Sequence, residues 1–325
     1  MQRRGYNAGV PTVHLDDVEL YYEEAGPADA PCVLLLHGYT ATSGMWALQR
    51  AALAERYRVI APDARGHGRT RSVGRQRLAL ARSAADALGL LDRLGIARAH
   101  VVGLSMGGMV AQELVLRAPA RVDRLVLCDT LAGPLPAPLF LAAATLPIAA
   151  EIRPARELIR RRWLAQGGVP MAHMSEVARS MTSHEDLRGM LRAGRALLGK
   201  RDRRPDLASI TQDTLVLVGE NDALFNGSLV LHARLPRARL AVLARCGHGS
   251  AVWRPRTFNR VLLEFLEEPG SFPPGTARYF PKSTTPGAPE AWRPIVAPRP
   301  LGWVEESRAV GRRVWSRLAP RRARR

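Results

Sequence analysis

The feature that most restricts the fold is a series of short apolar runs, each too brief for a helix and continuous rather than alternating. Cys32 to Leu36, Arg58 to Ala61, His100 to Leu104, Arg124 to Cys128, Thr214 to Val218 and Leu240 to Leu243 have this form. A strand wetted on one face alternates apolar with polar residues, so continuous runs point to strands covered on both faces. Between them, apolar residues recur at three and four positions in Leu78 to Leu94, Gly107 to Arg117 and Thr257 to Leu266, which predicts amphipathic helices. Strand and helix in alternation predict an α/β fold with a mostly parallel central sheet flanked by helices. Ahead of the first run, Val13, Leu15, Val18, Leu20 and Tyr22 alternate around Asp16-Asp17 and predict an opening hairpin.

The alternation lapses between Leu131 and Pro205, where Pro134, Pro136, Pro138, Pro147 and Pro154 precede arginine-rich helical segments. Residues 1–130 and 205–268 are therefore expected to form the core, with 131–204 as a helical cap over the carboxyl ends of the strands. Residues 269–325 are Pro-rich and basic, and are expected to be an appended, partly disordered tail, the sheet being complete by Leu266. Leu301, Trp303, Val304, Val310, Val314, Trp315 and Leu318 interleave with arginines there, so a membrane-surface or partner-binding helix stands beside the reading of a solvated tail.

The net charge of +19 raises nucleic acid as a partner, but 12 of the basic residues against 3 acidic ones fall after Glu268, so about half the excess sits in the tail. Nucleic-acid binding is not expected. Three scattered cysteines, Cys32, Cys128 and Cys246, make neither a disulfide framework nor a metal spacing, which favours a reducing, cytoplasmic setting. Residues 1–10 lack an apolar signal core, and the run Leu139 to Ala150 is short and broken by Pro147, so neither an export signal nor a spanning helix is expected. The histidines form no H-x-x-x-H pair, and neither a metal nor a cofactor is expected.

Chemistry concentrates where the third apolar run meets its helix, at Gly103-Leu104-Ser105-Met106-Gly107-Gly108. A serine between small residues on a strand-to-helix turn projects above the sheet, and the helix that follows aims its first amides at a developing anion. A glycine-rich turn without chemistry has the same local sequence. What separates the two readings is the order of later residues: Asp222 follows one apolar run and His248, between Gly247 and Gly249, follows the next. A neutral imidazole at His248 can accept the Ser105 proton while a carboxylate at Asp222 holds its other nitrogen. Asp129, which ends the run Arg124 to Cys128, is the rival for that carboxylate. His37-Gly38-Tyr39 closes another run, and the backbone amides of Tyr39 and Met106 are the candidate oxyanion hole.

These motifs resemble the α/β-hydrolase superfamily over roughly Val10 to Leu266. Asp63-Ala64-Arg65-Gly66-His67-Gly68 resembles that family's loop after the fourth strand, which implies a structural role for His67. Val101 to Thr130 is similar to 3-oxoadipate enol-lactonases and neighbouring esterases. The resemblance implies a serine hydrolase that cleaves a small-molecule carboxylic ester or lactone through an acyl-enzyme. Ser105 stands where haloalkane dehalogenases and epoxide hydrolases carry aspartate, and Tyr39-Thr40-Ala41 lacks the further glycine usual in C–C bond hydrolases. Perhydrolase activity, C–C bond hydrolysis and a catalytically slow ligand receptor on the same fold stay open as alternatives. Between Arg153 and Arg204 there are 13 basic residues, among them Arg160, Arg161, Arg162, Arg192 and Arg195, against 5 acidic ones. That balance favours an anionic substrate.

Overall fold

The computed structural model describes residues 11–72, 78–136, 187–282, 291–297 and 300. Its strands are β1 (Thr12–Leu15), β2 (Val18–Ala25), β3 (Cys32–Leu36), β4 (Arg58–Pro62), β5 (Arg71–Ser72), β6 (Ala99–Leu104), β7 (Val122–Cys128), β8 (Asp213–Gly219), β9 (Ala238–Leu243), β10 (Ala277–Phe280) and β11 (Arg293–Ile295). The helices are α1 (Ala47–Leu53), α2 (Leu80–Arg93), α3 (Met106–Arg117), α4 (Leu187–Leu198), α5 (Phe225–Arg234), α6 (Ser250–Trp253) and α7 (Pro255–Glu267). Among the described residues, no helix is long and apolar enough to cross a membrane.

The sheet runs β1-β2-β4-β3-β6-β7-β8-β9-β10-β11, with β5 paired to β2. From β4 to β10 neighbouring strands are parallel, and the antiparallel pairs lie at the two ends. The chain passes from β3 outward to β4 and then returns to lay β6 on the other side of β3. The ends of β3 and β6 therefore flank a topological switch point, where open α/β sheets leave a crevice.

Both faces of the sheet are covered, which is why the apolar runs are continuous. Leu34, Leu36, Val101, Leu125 and Val216 pack in one cluster with Leu90 of α2, Leu114 of α3 and Leu229 of α5. Their sequence neighbours Val33, Leu35, Val102, Val126 and Leu215 pack in a second cluster with Leu53 of α1 and Phe258 and Phe265 of α7. Helix α2 buries Leu80, Ala84, Ala87, Leu90 and Leu91, one stripe at helical spacing. It stops at Gly95, whose φ of 68° suits glycine, while the Gly95 and Ile96 amides donate to the carbonyls of Asp92 and Leu91.

The sheet does not end where the apolar runs end. Beyond Glu268 the chain forms β10, parallel to β9 from Ala277 opposite Leu240 to Phe280 opposite Leu243, and then β11. The boundary expected at residue 269 is thus displaced for this segment, because a four-residue strand with a central arginine carries no apolar run. Arg278 is nonetheless buried: it pairs with Glu264 of α7 at 2.6 Å, donates to the Ser271 carbonyl, and lies over the rings of Phe272 and Trp292 at 4.2 and 3.8 Å. The residues from Leu301 to Leu318 that suggested an amphipathic helix lie outside the described residues.

Replacing Arg278 with alanine removes the ion pair and both ring contacts from a site 6% exposed, and should lower unfolding stability by about 2–4 kcal/mol. Urea denaturation checks the magnitude, and amide exchange across Ala277–Phe280 checks that the loss begins at β10.

Candidate functional site

Ser105 sits between β6 and α3 with φ 55° and ψ −114°, a backbone conformation that costs a non-glycine residue roughly 1–3 kcal/mol. The flanking sequence makes that turn possible. A Cβ on Gly103 would lie 2.3 Å from the Gly107 carbonyl oxygen, and one on Gly107 would lie 2.0 Å from that of Leu36. Glycine at both positions lets α3 start directly above β6 and rest its backbone on the end of β3. The turn is pinned from below by the Ser105 amide donating to the Cys128 carbonyl at 2.9 Å, and from the side by the Thr130 hydroxyl donating to the Ser105 carbonyl at 2.7 Å.

The hydroxyl of Ser105 is 3.0 Å from Nε2 of His248, whose Nδ1 is 3.0 and 3.2 Å from the two oxygens of Asp222. The carboxylate fixes the tautomer: in the neutral ring Nδ1–H donates to Asp222, which leaves Nε2 to accept from the serine. The three sequence-predicted residues come from the ends of β6, β8 and β9, and they meet because those ends are backbone-packed. A Cβ on Gly219 would lie 2.5 Å from the Gly247 carbonyl oxygen, so the segments carrying Asp222 and His248 touch without side chains between them. The Trp253 indole holds the His248 carbonyl at 2.9 Å.

Asp222 is fully buried. Burial alone would raise its carboxyl, but the charge of His248 and the hydrogen bonds from His248 and the Leu224 amide hold it below the usual carboxylate range. For His248, burial pulls downward and is outweighed by Asp222, as charge and as acceptor, and by Asp129, so that the imidazole is pushed up to about 9.

Asp129, the rival carboxylate, has a different position. Its Oδ1 accepts from the Gly219 amide at 3.0 Å, and its Oδ2 accepts from Gly249 at 3.1 Å and Ser250 at 2.6 Å. It ties the end of β8 to the turn that follows His248, while the hydrogen bonds to the imidazole come from Asp222. Burial and the charge of Asp222 push Asp129 up to about 7.

The turn after β3 lies on the other side of Ser105. A Cβ on Gly38 would lie 3.5 Å from that of Ser105, which sets the Gly38-Tyr39 turn against the serine. Among the described residues, neither the Tyr39 nor the Met106 amide has a backbone partner. Met106 opens α3, where first-turn amides are unpaired by construction. His37 fixes this turn, with Nδ1 donating to the Gly38 carbonyl and Nε2 accepting from the Ala64 amide, both at 2.8 Å. Burial holds it below the ordinary imidazole value, which keeps Nε2 free to accept. His67 is buried against the His37 and Tyr39 rings and bonds the Arg65 carbonyl at 3.1 Å. Within the segment expected to form a cap, α4 is described: the Tyr39 hydroxyl donates to the Met190 carbonyl at 3.2 Å, and a Cβ on Gly66 would meet the Gly189 backbone at 2.5 Å.

Sequence reasoning found the residues that meet at Ser105 and missed those that hold them, His37 and Asp129 in particular. The signal for His37 was its place beside Gly38 at a strand end. For Asp129 nothing local distinguished a bracing carboxylate from an acid partner.

A hydroxyl, an imidazole and a buried carboxylate thus stand in one hydrogen-bonded line at the strand ends of a mostly parallel sheet. The sequence model of the Alpha/beta hydrolase family matches residues 33–261, and the chain belongs to that family. It is 35% identical over 258 residues to a protein of Variovorax paradoxus named as a carbamate hydrolase, RutD, with 76% of this chain and 96% of the relative aligned. It is 29% identical to 3-oxoadipate enol-lactonase 2 of Acinetobacter baylyi, over 77% of this chain and 94% of that one. Among solved structures, the enol-lactonase of Burkholderia xenovorans LB400 superposes with a TM-score of 0.68 at 27% identity, covering 79% of this chain and all of that chain.

Two outcomes follow from this geometry. In an NMR titration the His248 imidazole should titrate above the ordinary ~6.5, and Asp222→Asn should bring it down by removing the charge that favours the protonated ring. Asp129→Asn should leave His248 bonded to Asp222 but cost about 1–3 kcal/mol of unfolding stability, since an amide cannot accept on both sides.

Proposed function

We propose that this chain is a serine hydrolase that cleaves a small-molecule carboxylic ester or lactone through an acyl-enzyme. The observation that carries the reading is the unbroken line from Asp222 through His248 to a serine held at positive φ, 3.0 Å at each junction. Ser105 Oγ attacks the substrate carbonyl as its proton passes to His248 Nε2. The carbonyl oxygen becomes an anion facing the Tyr39 and Met106 amides. Collapse breaks the bond to the leaving oxygen, which takes the proton back from His248 and departs as the alcohol, or stays tethered when the substrate is a lactone. Water then gives a proton to His248 as it attacks the Ser105 ester, and the acid is released as Ser105 Oγ leaves and takes that proton back from His248.

Relatives named as carbamate hydrolases support a second substrate class, because a carbamate presents the same carbonyl to the same nucleophile. The basic balance of residues 153–204 supports a carboxylate on the substrate. Arg160, Arg161 and Arg162 lie outside the described residues. Arg203 is paired with Glu113 and Asp206, and Arg204 with Asp202, at the base of the cap.

A panel of esters, lactones and carbamates, each acid-bearing member run beside its methyl ester at low and high salt, tests these readings together. Ser105→Ala should lower turnover by about 10⁴- to 10⁶-fold while the protein stays folded, and a fluorophosphonate should label the parent protein alone. Equal labelling of the alanine variant would remove Ser105 as nucleophile. Equal kcat/KM for acid and methyl ester, without salt dependence, would remove the anionic preference.

A further inference from the structure

The segment after Glu268 lies past the family match, which ends at residue 261, and it reaches the loop that carries His248. Three contacts make the link. The Ala244 amide, just after β9, donates to the Phe280 carbonyl of β10 at 3.0 Å. The Arg254 guanidinium, buried at the start of α7, donates to the Ala244 carbonyl at 2.6 Å and to that of Pro281 at 3.4 Å, bridging the loop to the end of β10. On the outer side, the Tyr279 hydroxyl donates to Glu220 Oε1 at 3.1 Å, and Glu220 Oε2 accepts from the Arg245 amide at 3.0 Å.

Arg245 needs such an acceptor. Its φ is 50°, a conformation that non-glycine residues rarely hold, and it stands three residues before His248. Glu220 stands two residues before Asp222, and the Asn221 amide donates to the Cys246 carbonyl at 2.8 Å. The strained turn, the acid-bearing turn and β10 therefore share one set of hydrogen bonds.

We infer that strand β10 is a positioning element for the reaction, fixing the turn from Ala244 to Gly247 so that His248 stands between Asp222 and Ser105. The inference rests on the reading of His248 as the base. Among the described residues, Asp222, Asp129 and Ser105 are the groups that bear on the imidazole, and none of them belongs to β10. The strand acts through the backbone of the turn, with no contact to a reacting atom.

Two full-length variants test it. Tyr279→Phe deletes only the hydroxyl and keeps the ring beneath the Arg293 guanidinium, 4.9 Å away. Arg278→Ala loosens the strand, and Arg278→Lys restores the charge beside Glu264. The His248 titration, read by NMR without substrate, is the primary measurement. Kinetics on an activated ester are the second. Arg278→Ala should bring the His248 titration down toward the ordinary imidazole value and lower kcat about 3- to 10-fold at constant KM, the scale of one lost hydrogen bond. Tyr279→Phe should move both readouts the same way by less, and Arg278→Lys should return them toward the parent. Unchanged titration and kcat in Arg278→Ala, with amide exchange showing β10 loosened, would overturn the inference and leave the strand a purely stabilising addition. Because the titration needs no substrate, that failure is distinct from a failure of Ser105→Ala to abolish turnover.

Discussion

Everything at the candidate site depends on one strained residue. A serine at φ 55° does not hold that geometry by its own preference, so the surroundings have to impose it. They do so with backbone. Gly103 and Gly107 leave no side chain between β6, α3 and the end of β3, and the Cys128 carbonyl and Thr130 hydroxyl close the turn from the other sides. The strain is offset by packing of the whole parallel sheet, which buries Val101, Val102 and Leu104 beneath the turn.

The same logic extends outward. His248 and Asp222 occupy turns that meet through Gly219 and Gly247, and Asp129 gathers amides from both sides of that junction. Two carboxylates buried close together repel, so the one that bonds the imidazole stays ionised while the other is pushed toward neutral pH. The division of labour between Asp222 and Asp129 follows from which of them the histidine faces.

Much of this was legible beforehand, for a physical reason. Strands buried on both faces leave continuous apolar runs, and Cys32 to Leu36 coincides with β3 residue for residue. The order Ser105, Asp222, His248 was legible because each follows a strand end, and strand ends of a parallel sheet lie on one side. The brace was not legible. Asp129 looks the same in sequence whether it faces an imidazole or three amides, and the His37 tautomer is set by the distant Ala64 amide. Strand β10 was hidden by its own arginine, since Arg278 reads as a solvent-facing charge until Glu264, Phe272 and Trp292 are placed around it. The arginines between residues 153 and 204 stayed ambiguous for a related reason: charge content reports a segment's balance and not where each guanidinium lies.

The added strands also change which strand lies at the edge of the sheet. If the sheet stopped at β9, the buried run Ala238 to Leu243 would present an open row of amides and carbonyls, a template for edge-to-edge pairing and aggregation. With β10 and β11 in place the terminal strand among the described residues is Arg293-Pro294-Ile295, three residues long. Its proline has no amide to donate and its arginine brings charge to the rim, so among the described residues the sheet ends in a segment poorly suited to recruiting another strand. The extension that reaches the histidine turn thus also covers the edge that β9 would otherwise expose.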